Sequence, residues 1–346
     1  MAQPAARFGS FSKNARMPTV ALVLGAGGAV GHAFHVGALS ALADEFEWDA
    51  RSADLIVGTS AGSVVGASLR AGLSARDMGH RALGKQLSAA GAKLVRRAEA
   101  AVAEARSASG QSADVPAASI ASRLRMASPE RVRRAMREPW KVTPGSLISA
   151  LVPAGRLPTD YLGAAWDVLV GDEWPAEDLW IAAVNLDIGH RVVFGQPGSP
   201  AAALGDAVEA SCAIPGYFAP VLIDEARYVD GGVHSTTNAD LVAEYEPQPE
   251  LAIILAPMSA VGSALELPRF AVRQFARRSV AREAKLLRDR GIEVVTLQPT
   301  AADLEQMSGS SMDPSKAEAI CRQVVESTIE HVRDPEIADR LVALRS

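Results

Sequence analysis

The chain has 346 residues, of which 48% are apolar and 5% aromatic, and its formal net charge is −5. That length is enough for one large α/β core or two modest ones, and the acidic balance argues against a general nucleic-acid binder. Two cysteines, Cys212 and Cys321, are too few for a disulfide framework and point to a reducing compartment.

Residues 1–17 are polar and Ala-rich, with no apolar h-region or cleavage pattern, and are expected to form a disordered tail. No run of about 18 uninterrupted apolar residues follows, so no transmembrane helix is expected and the protein is placed in the cytoplasm. Residues 19–24 (Thr-Val-Ala-Leu-Val-Leu) form an apolar run of the kind buried on both faces of a parallel sheet. A Gly-rich turn, Gly25 to Gly31, and a helical pattern over 30–44 come next. Strand, Gly-rich turn and helix recur at 55–72, an alternation that predicts a doubly wound α/β sheet.

Between Arg81 and Lys141 there are 13 Lys/Arg against 5 Asp/Glu, a net of +8 in a chain of net −5. Two basic helices are predicted there, over 83–105 and 119–137, joined by an Ala/Ser-rich link at 107–119. The segment 76–178 reads either as a solvated helical insertion or as a cap that also meets anionic lipid head groups. The sheet resumes at 179–186, with 191–195 as a hairpin partner. A helix is predicted over 202–212, a short strand ending at Asp230, and a buried strand over 251–256. A basic helix over 269–290, a strand over 294–298 and a helix over 314–332 complete a mainly helical part from 257 to 346.

Three short motifs carry chemistry. Ser60 stands between Gly58 and Gly62 where a strand pattern gives way to a helix pattern, a setting that projects a serine hydroxyl from a sharp turn. The glycines at 25, 27, 28 and 31 follow a strand and open a helix, so several N–H groups can face one anion. Three readings stay open for that loop. A dinucleotide fingerprint would need glycine where Val30 stands, although Asp44 lies at a suitable distance for a ribose. An oxyanion hole would stabilise a tetrahedral intermediate, each donor contributing on the order of 3 kcal/mol. A plain structural turn would do neither. For the base, a triad histidine is expected late in the chain, and among six histidines only His234 has a motif-like context. Asp230, at a strand end before Gly231 and Gly232, is better placed to accept the Ser60 proton directly as a Ser–Asp dyad. No His/Cys/carboxylate cluster has metal-ligand spacing, so neither a metal nor a cofactor is expected.

Taken together and in order, the loop from Gly25 to Gly31, Gly58-Thr59-Ser60-Ala61-Gly62 and Asp230-Gly231-Gly232 resemble the motifs of the patatin-like phospholipase family. Leu39 and Leu42 on the first helix, and the stretch from Glu209 to Pro220, resemble that family's flanking segments over 19–75 and 179–256. The resemblance implies a three-layer α/β fold over 18–346, with a mostly parallel central sheet flanked by helices. It implies hydrolysis of fatty-acyl esters of lipids, with Ser60 as nucleophile and Asp230 as base. Gly27, Gly28 and Ala29 would be the oxyanion donors, with help from the Ala61 N–H. Two positions depart from the family pattern: Ala26 replaces a glycine, and Val30 replaces a cation that would have spoken for a phosphate head group; on these departures a lipid-binding or regulatory protein with a degenerate site stands as the alternative.

Overall fold

In chain order the computed structural model runs β1 (Val20–Leu24), α1 (Gly28–Phe46), β2 (Leu55–Gly58), α2 (Ala61–Arg70), α3 (Ala75–Ala82), α4 (Ala89–Ala108), α5 (Asp160–Leu169), β3 (Asp178–Asn185), β4 (His190–Phe194) and α6 (Leu204–Cys212). It continues with β5 (Val221–Ile223), β6 (Ala226–Asp230), β7 (Leu251–Leu255), α7 (Leu267–Asp289), β8 (Glu293–Leu297), α8 (Ala301–Gln306), α9 (Ala317–Val332) and α10 (Pro335–Leu341). It describes residues 18–108, 155, 157, 159–171, 173–259 and 267–344. The predicted tail, the helix over 119–137 and residues 109–119 of the link lie outside these.

The strands form one sheet in the order β5-β6-β3-β2-β1-β7-β8, with β4 on the other edge of β3. The run β3-β2-β1-β7-β8 is parallel, and β4, β5 and β6 pair antiparallel. This is the mostly parallel sheet that the sequence predicts. β1, β2 and β7 are buried throughout because helices cover both faces, and side chains alternate between them. Leu22, Leu24, Ile56 and Ile253 enter one core with α1, α2, α6 and α9, while Ala21, Val23, Leu55 and Ile254 enter the other with α7. Because α1 is apolar nearly all round, it is buried on all sides, between the sheet and α9.

The chain leaves β1 for β2 on one side and later returns to β7 on the other. The loop after β1 therefore lies at the topological switch point, where open α/β sheets bind ligands. Two local expectations need correction. The basic helix predicted from 83 begins only at Ala89: Gly84, at φ +64°, terminates α3, and Asp77 accepts from the Ser88 N–H at 2.7 Å. The strand β5 was not predicted, being three residues long with Leu222 facing out. Among the described residues no helix is long and apolar enough to cross a membrane.

Candidate active site

The site arises from two strands that run head to head along one edge of β3. β2 is parallel to β3 and ends with Gly58 opposite Ile181. β6 is antiparallel and ends with Asp230 opposite Ala183. β4 occupies the opposite edge over Ile181–Asn185, so β2 and β6 share the remaining one. Their carboxyl ends stop on either side of Ala182. Ser60, two residues past β2, and Asp230, the last residue of β6, are thereby brought together at the carboxyl end of the parallel sheet.

Between β2 and α2 the chain turns sharply. Ser60 has φ +54° and ψ −121°, a region L-residues rarely occupy, and such strain concentrates at functional sites. The turn is held by the Thr59 N–H donating to the Leu24 carbonyl at 2.9 Å and the Ser63 hydroxyl donating to the Ser60 carbonyl at 2.6 Å. Gly62 must be glycine, since a Cβ there would lie 1.9 Å from the Leu24 carbonyl oxygen. Ser60 and Asp230 are both nearly inaccessible, at 3% and 5% exposure.

Asp230 Oδ1 accepts from the Gly232 N–H at 2.7 Å, at the start of the tight turn Gly231–Val233. Burial pushes its pKa up to about 6, against the Gly232 N–H and the Ser60 hydroxyl, which both favour the carboxylate. A carboxyl in this environment titrates near neutrality, as a general base requires.

In the Gly-rich loop the flanking amides are all engaged. The Gly25 N–H donates to the Leu255 carbonyl, Ala26 to Thr236, Val30 to Ser311 and Gly31 to Gly27, at 2.7–3.1 Å. Among the described residues the N–H groups of Gly27, Gly28 and Ala29, and that of Ala61 beside Ser60, have no partner. Gly28 sits at φ +63°, which favours glycine. His35, wholly buried, braces the loop from below: its Nε2 lies 2.7 Å from the Gly25 carbonyl, which can only accept, so Nε2 carries the proton. Burial pushes the His35 pKa down to about 4, keeping the ring neutral.

His234 is separate from this cluster. It is exposed and lines a surface cleft with Ser235, Asp240 and Arg282, and among the described residues it makes no hydrogen bond to Ser60 or Asp230. Asp44, the ribose candidate of the dinucleotide reading, pairs with Arg76 at 2.8 Å on the surface. No group of three or more His, Cys, Asp or Glu that could hold a metal occurs among the described residues. Several supporting residues had no assigned role in the sequence: Ser211, whose hydroxyl accepts from the Ser60 N–H; Asn238, which donates to the Thr59 hydroxyl; and Glu283, which holds the loop after Asp230. Only Ser211 stood in a recognisable segment.

A mostly parallel α/β sheet flanked by helices thus carries a glycine-flanked serine on the turn that follows β2. The family model described as Patatin-like phospholipase matches residues 22–243, more than half of the chain, and the chain belongs to that family. Membership indicates a lipid acyl hydrolase in general terms. Among solved structures the chain is similar to the crystal structure of VipD from Legionella pneumophila, at 13% identity and a TM-score of 0.40, over 91% of this chain and 68% of that one. No curated protein matches.

Proposed function

We propose that this protein hydrolyses fatty-acyl ester bonds of lipids through a Ser60–Asp230 dyad. The observation that carries the reading is the meeting of β2 and β6 on one edge of β3, which sets a strained serine beside a buried carboxyl of raised pKa. Asp230 takes the Ser60 proton as Oγ attacks the ester carbonyl. The carbonyl oxygen becomes an oxyanion and is met by the free N–H groups of Gly27, Gly28 and Ala29, with that of Ala61 on the nucleophile side. The intermediate collapses, the C–O bond to the leaving group breaks, and Asp230 passes its proton to the departing oxygen, so the alcohol or lysolipid leaves neutral and Asp230 is a carboxylate again. Water then gives a proton to Asp230 and its oxygen to the acyl group, which releases the fatty acid and restores the Ser60 hydroxyl.

Both departures from the family motif are compatible with this chemistry. The Ala26 N–H is already bonded to Thr236 and the Val30 N–H to Ser311, so neither exchange falls on one of the three free donors. The rival in which the chain binds lipid without hydrolysing it rests on those same two positions and gains nothing from them.

Labelling with a fluorophosphonate, followed by turnover of a panel of phospholipid, lysophospholipid, acylglycerol and short-chain esters, tests the reading. Wild type is expected to be labelled on Ser60. Ser60→Ala is expected to escape the label and to lose roughly 10³-fold or more in kcat. A folded wild type that stays unlabelled and inactive, or a Ser60→Ala protein that turns over normally, would sink it.

A further inference from the structure

The basic helix α7 has no part in the chemistry above, yet its two faces differ sharply. The inner stripe, including Ala276, Val280, Glu283 and Leu287, is buried against the sheet and the loop that follows Asp230. The outer stripe runs Phe275, Arg278, Arg282 and Leu286, in helical steps of three and four, flanked by Arg277, Lys285 and Arg288. Phe275 is 43% and Leu286 38% exposed, large apolar side chains set among cations. Lys285 pairs with Asp289 at 2.6 Å, but among the described residues Arg277, Arg278 and Arg282 have no acidic partner. The acids nearby are engaged elsewhere: Asp240 with Arg191 at 2.8 Å, and Glu283 with the hydroxyls of Ser235, Thr237 and Ser279. This concentration of free positive charge stands on a chain whose net charge is −5.

The helix also borders the candidate site. It follows β7, whose carboxyl end lies at the switch point, and Arg273 donates to the Pro257 carbonyl at 3.2 Å. The Pro257 ring packs on the Gly-rich loop, 3.0 Å from where a Cβ on Gly27 would stand. A surface met by the Phe275 end of α7 therefore lies at the same end of the sheet as Ser60.

We propose that the outward face of α7 docks this protein on an anionic phospholipid surface. Arg278 and Arg282 meet head-group phosphates, which guanidinium groups bind in a fork, while Phe275 and Leu286 enter the interfacial layer. Leu286 offers no ring on which a base could stack, which favours lipid over single-stranded nucleic acid. The choice of lipid also rests on the lipid-hydrolase reading, whereas docking itself does not need Ser60. This surface is distinct from the 76–178 insertion, for which the sequence suggested membrane contact.

Co-sedimentation of the full chain with phosphatidylglycerol–phosphatidylcholine vesicles, with pure phosphatidylcholine vesicles and with tRNA as competitor tests the proposal. Wild type and Ser60→Ala are both expected to bind the mixed vesicles, less as salt rises, and to leave the neutral ones unbound. The double variant Arg278→Gln, Arg282→Gln is expected to lose roughly thirtyfold in partitioning, while turning over a water-soluble ester as wild type does. A second measurement does not depend on that variant. With Cys212 and Cys321 buried, Phe275→Cys can carry an environment-sensitive fluorophore, whose emission is expected to shift to the blue on mixed vesicles. Undiminished binding by the double variant, an unshifted fluorophore on sedimented protein, equal binding to neutral vesicles, or tRNA binding that vesicles fail to displace would each overturn the proposal. A wild type that docks as described but hydrolyses no ester would support docking and overturn the hydrolase reading.

Discussion

The Ser60 N–H donates to the Ser211 hydroxyl at 2.9 Å, and that hydroxyl donates to the Ala182 carbonyl at 2.7 Å. Ala182 is the β3 residue between the ends of β2 and β6, so neither strand satisfies its carbonyl on that edge. One fully buried hydroxyl thus closes the gap and fixes the backbone of the turn that carries Ser60. Ser211→Ala leaves a buried N–H and a buried C=O unpaired, each costing about 1–3 kcal/mol. The thermal midpoint is expected to fall by several degrees. The kcat for a water-soluble ester should drop by about tenfold with KM little changed, because the loss falls on positioning rather than on substrate contact. Melting curves and steady-state kinetics check both, and a KM effect without a kcat effect would contradict the role.

Asp230 predicts a pH dependence of defined sign. Its pKa is raised from the ordinary 3.8 to about 6 by burial. The folded state therefore prefers the protonated carboxyl. The stability this contributes is complete below the unfolded value and is lost as pH rises through about 6. Above that pH the buried carboxylate costs roughly 3 kcal/mol, an order-of-magnitude figure from the two pKa values. Asp230→Asn is expected to be inactive yet more stable than wild type at about pH 8, with the gain disappearing near pH 4. In wild type, kcat/KM should fall on the acid side with an apparent pKa near 6, since the base must be ionised to accept the proton. Denaturant melts of both proteins across pH decide the first point, and a pH–rate profile the second.

His234 separates the dyad from an ordinary triad. It lines a surface cleft beside Arg282, where partial desolvation of the ring by the cleft walls and the Arg191 charge push its pKa down. His234→Ala is expected to keep turnover within about twofold of wild type, whereas loss of a true triad histidine costs several orders of magnitude. Comparing its kcat with that of Ser60→Ala checks this, and equal losses would restore the triad.

The features legible in the sequence are those with a local signal. β1, β2 and β7 are unbroken apolar runs, and Ser60 and Asp230 sit in short glycine-marked turns at strand ends. What joins them was not legible. The head-to-head register of β2 and β6 depends on which edge of β3 each strand takes, and no residue pattern within either strand encodes that. Ser211 lies in a segment singled out as family-like, but its partners Ser60 and Ala182 are distant in the chain. The break between α3 and α4 was also missed, because Gly84 and the Asp77–Ser88 bonds interrupt a region read only by its charge.

Glu283 is the clearest case of a residue whose role only the fold exposes, and it carries the last prediction. It sits on α7, beyond the family-matched segment, and is 8% exposed. Its carboxylate accepts from the hydroxyls of Ser235 and Thr237, from the Ala239 N–H at 2.9 Å and from the Ser279 hydroxyl at 3.1 Å. The loop so held touches both halves of the candidate site: the Thr236 carbonyl accepts from the Ala26 N–H at 2.7 Å, and Asn238 donates to the Thr59 hydroxyl at 3.1 Å. Glu283→Ala removes the common acceptor and leaves the Ala239 N–H buried and unpaired, an expected loss of roughly 3 kcal/mol in stability. Glu283→Gln keeps one carbonyl oxygen, and the hydroxyls can rotate to accept from its amide, so its loss should be nearer 1 kcal/mol. Urea unfolding measures both. To separate positioning from folding, the rate of fluorophosphonate labelling is measured at a urea-free temperature where each variant is folded. A slowed reaction at Ser60 in Glu283→Ala, partly recovered in Glu283→Gln, is expected. Wild-type labelling rates in both would reduce Glu283 to a purely structural brace.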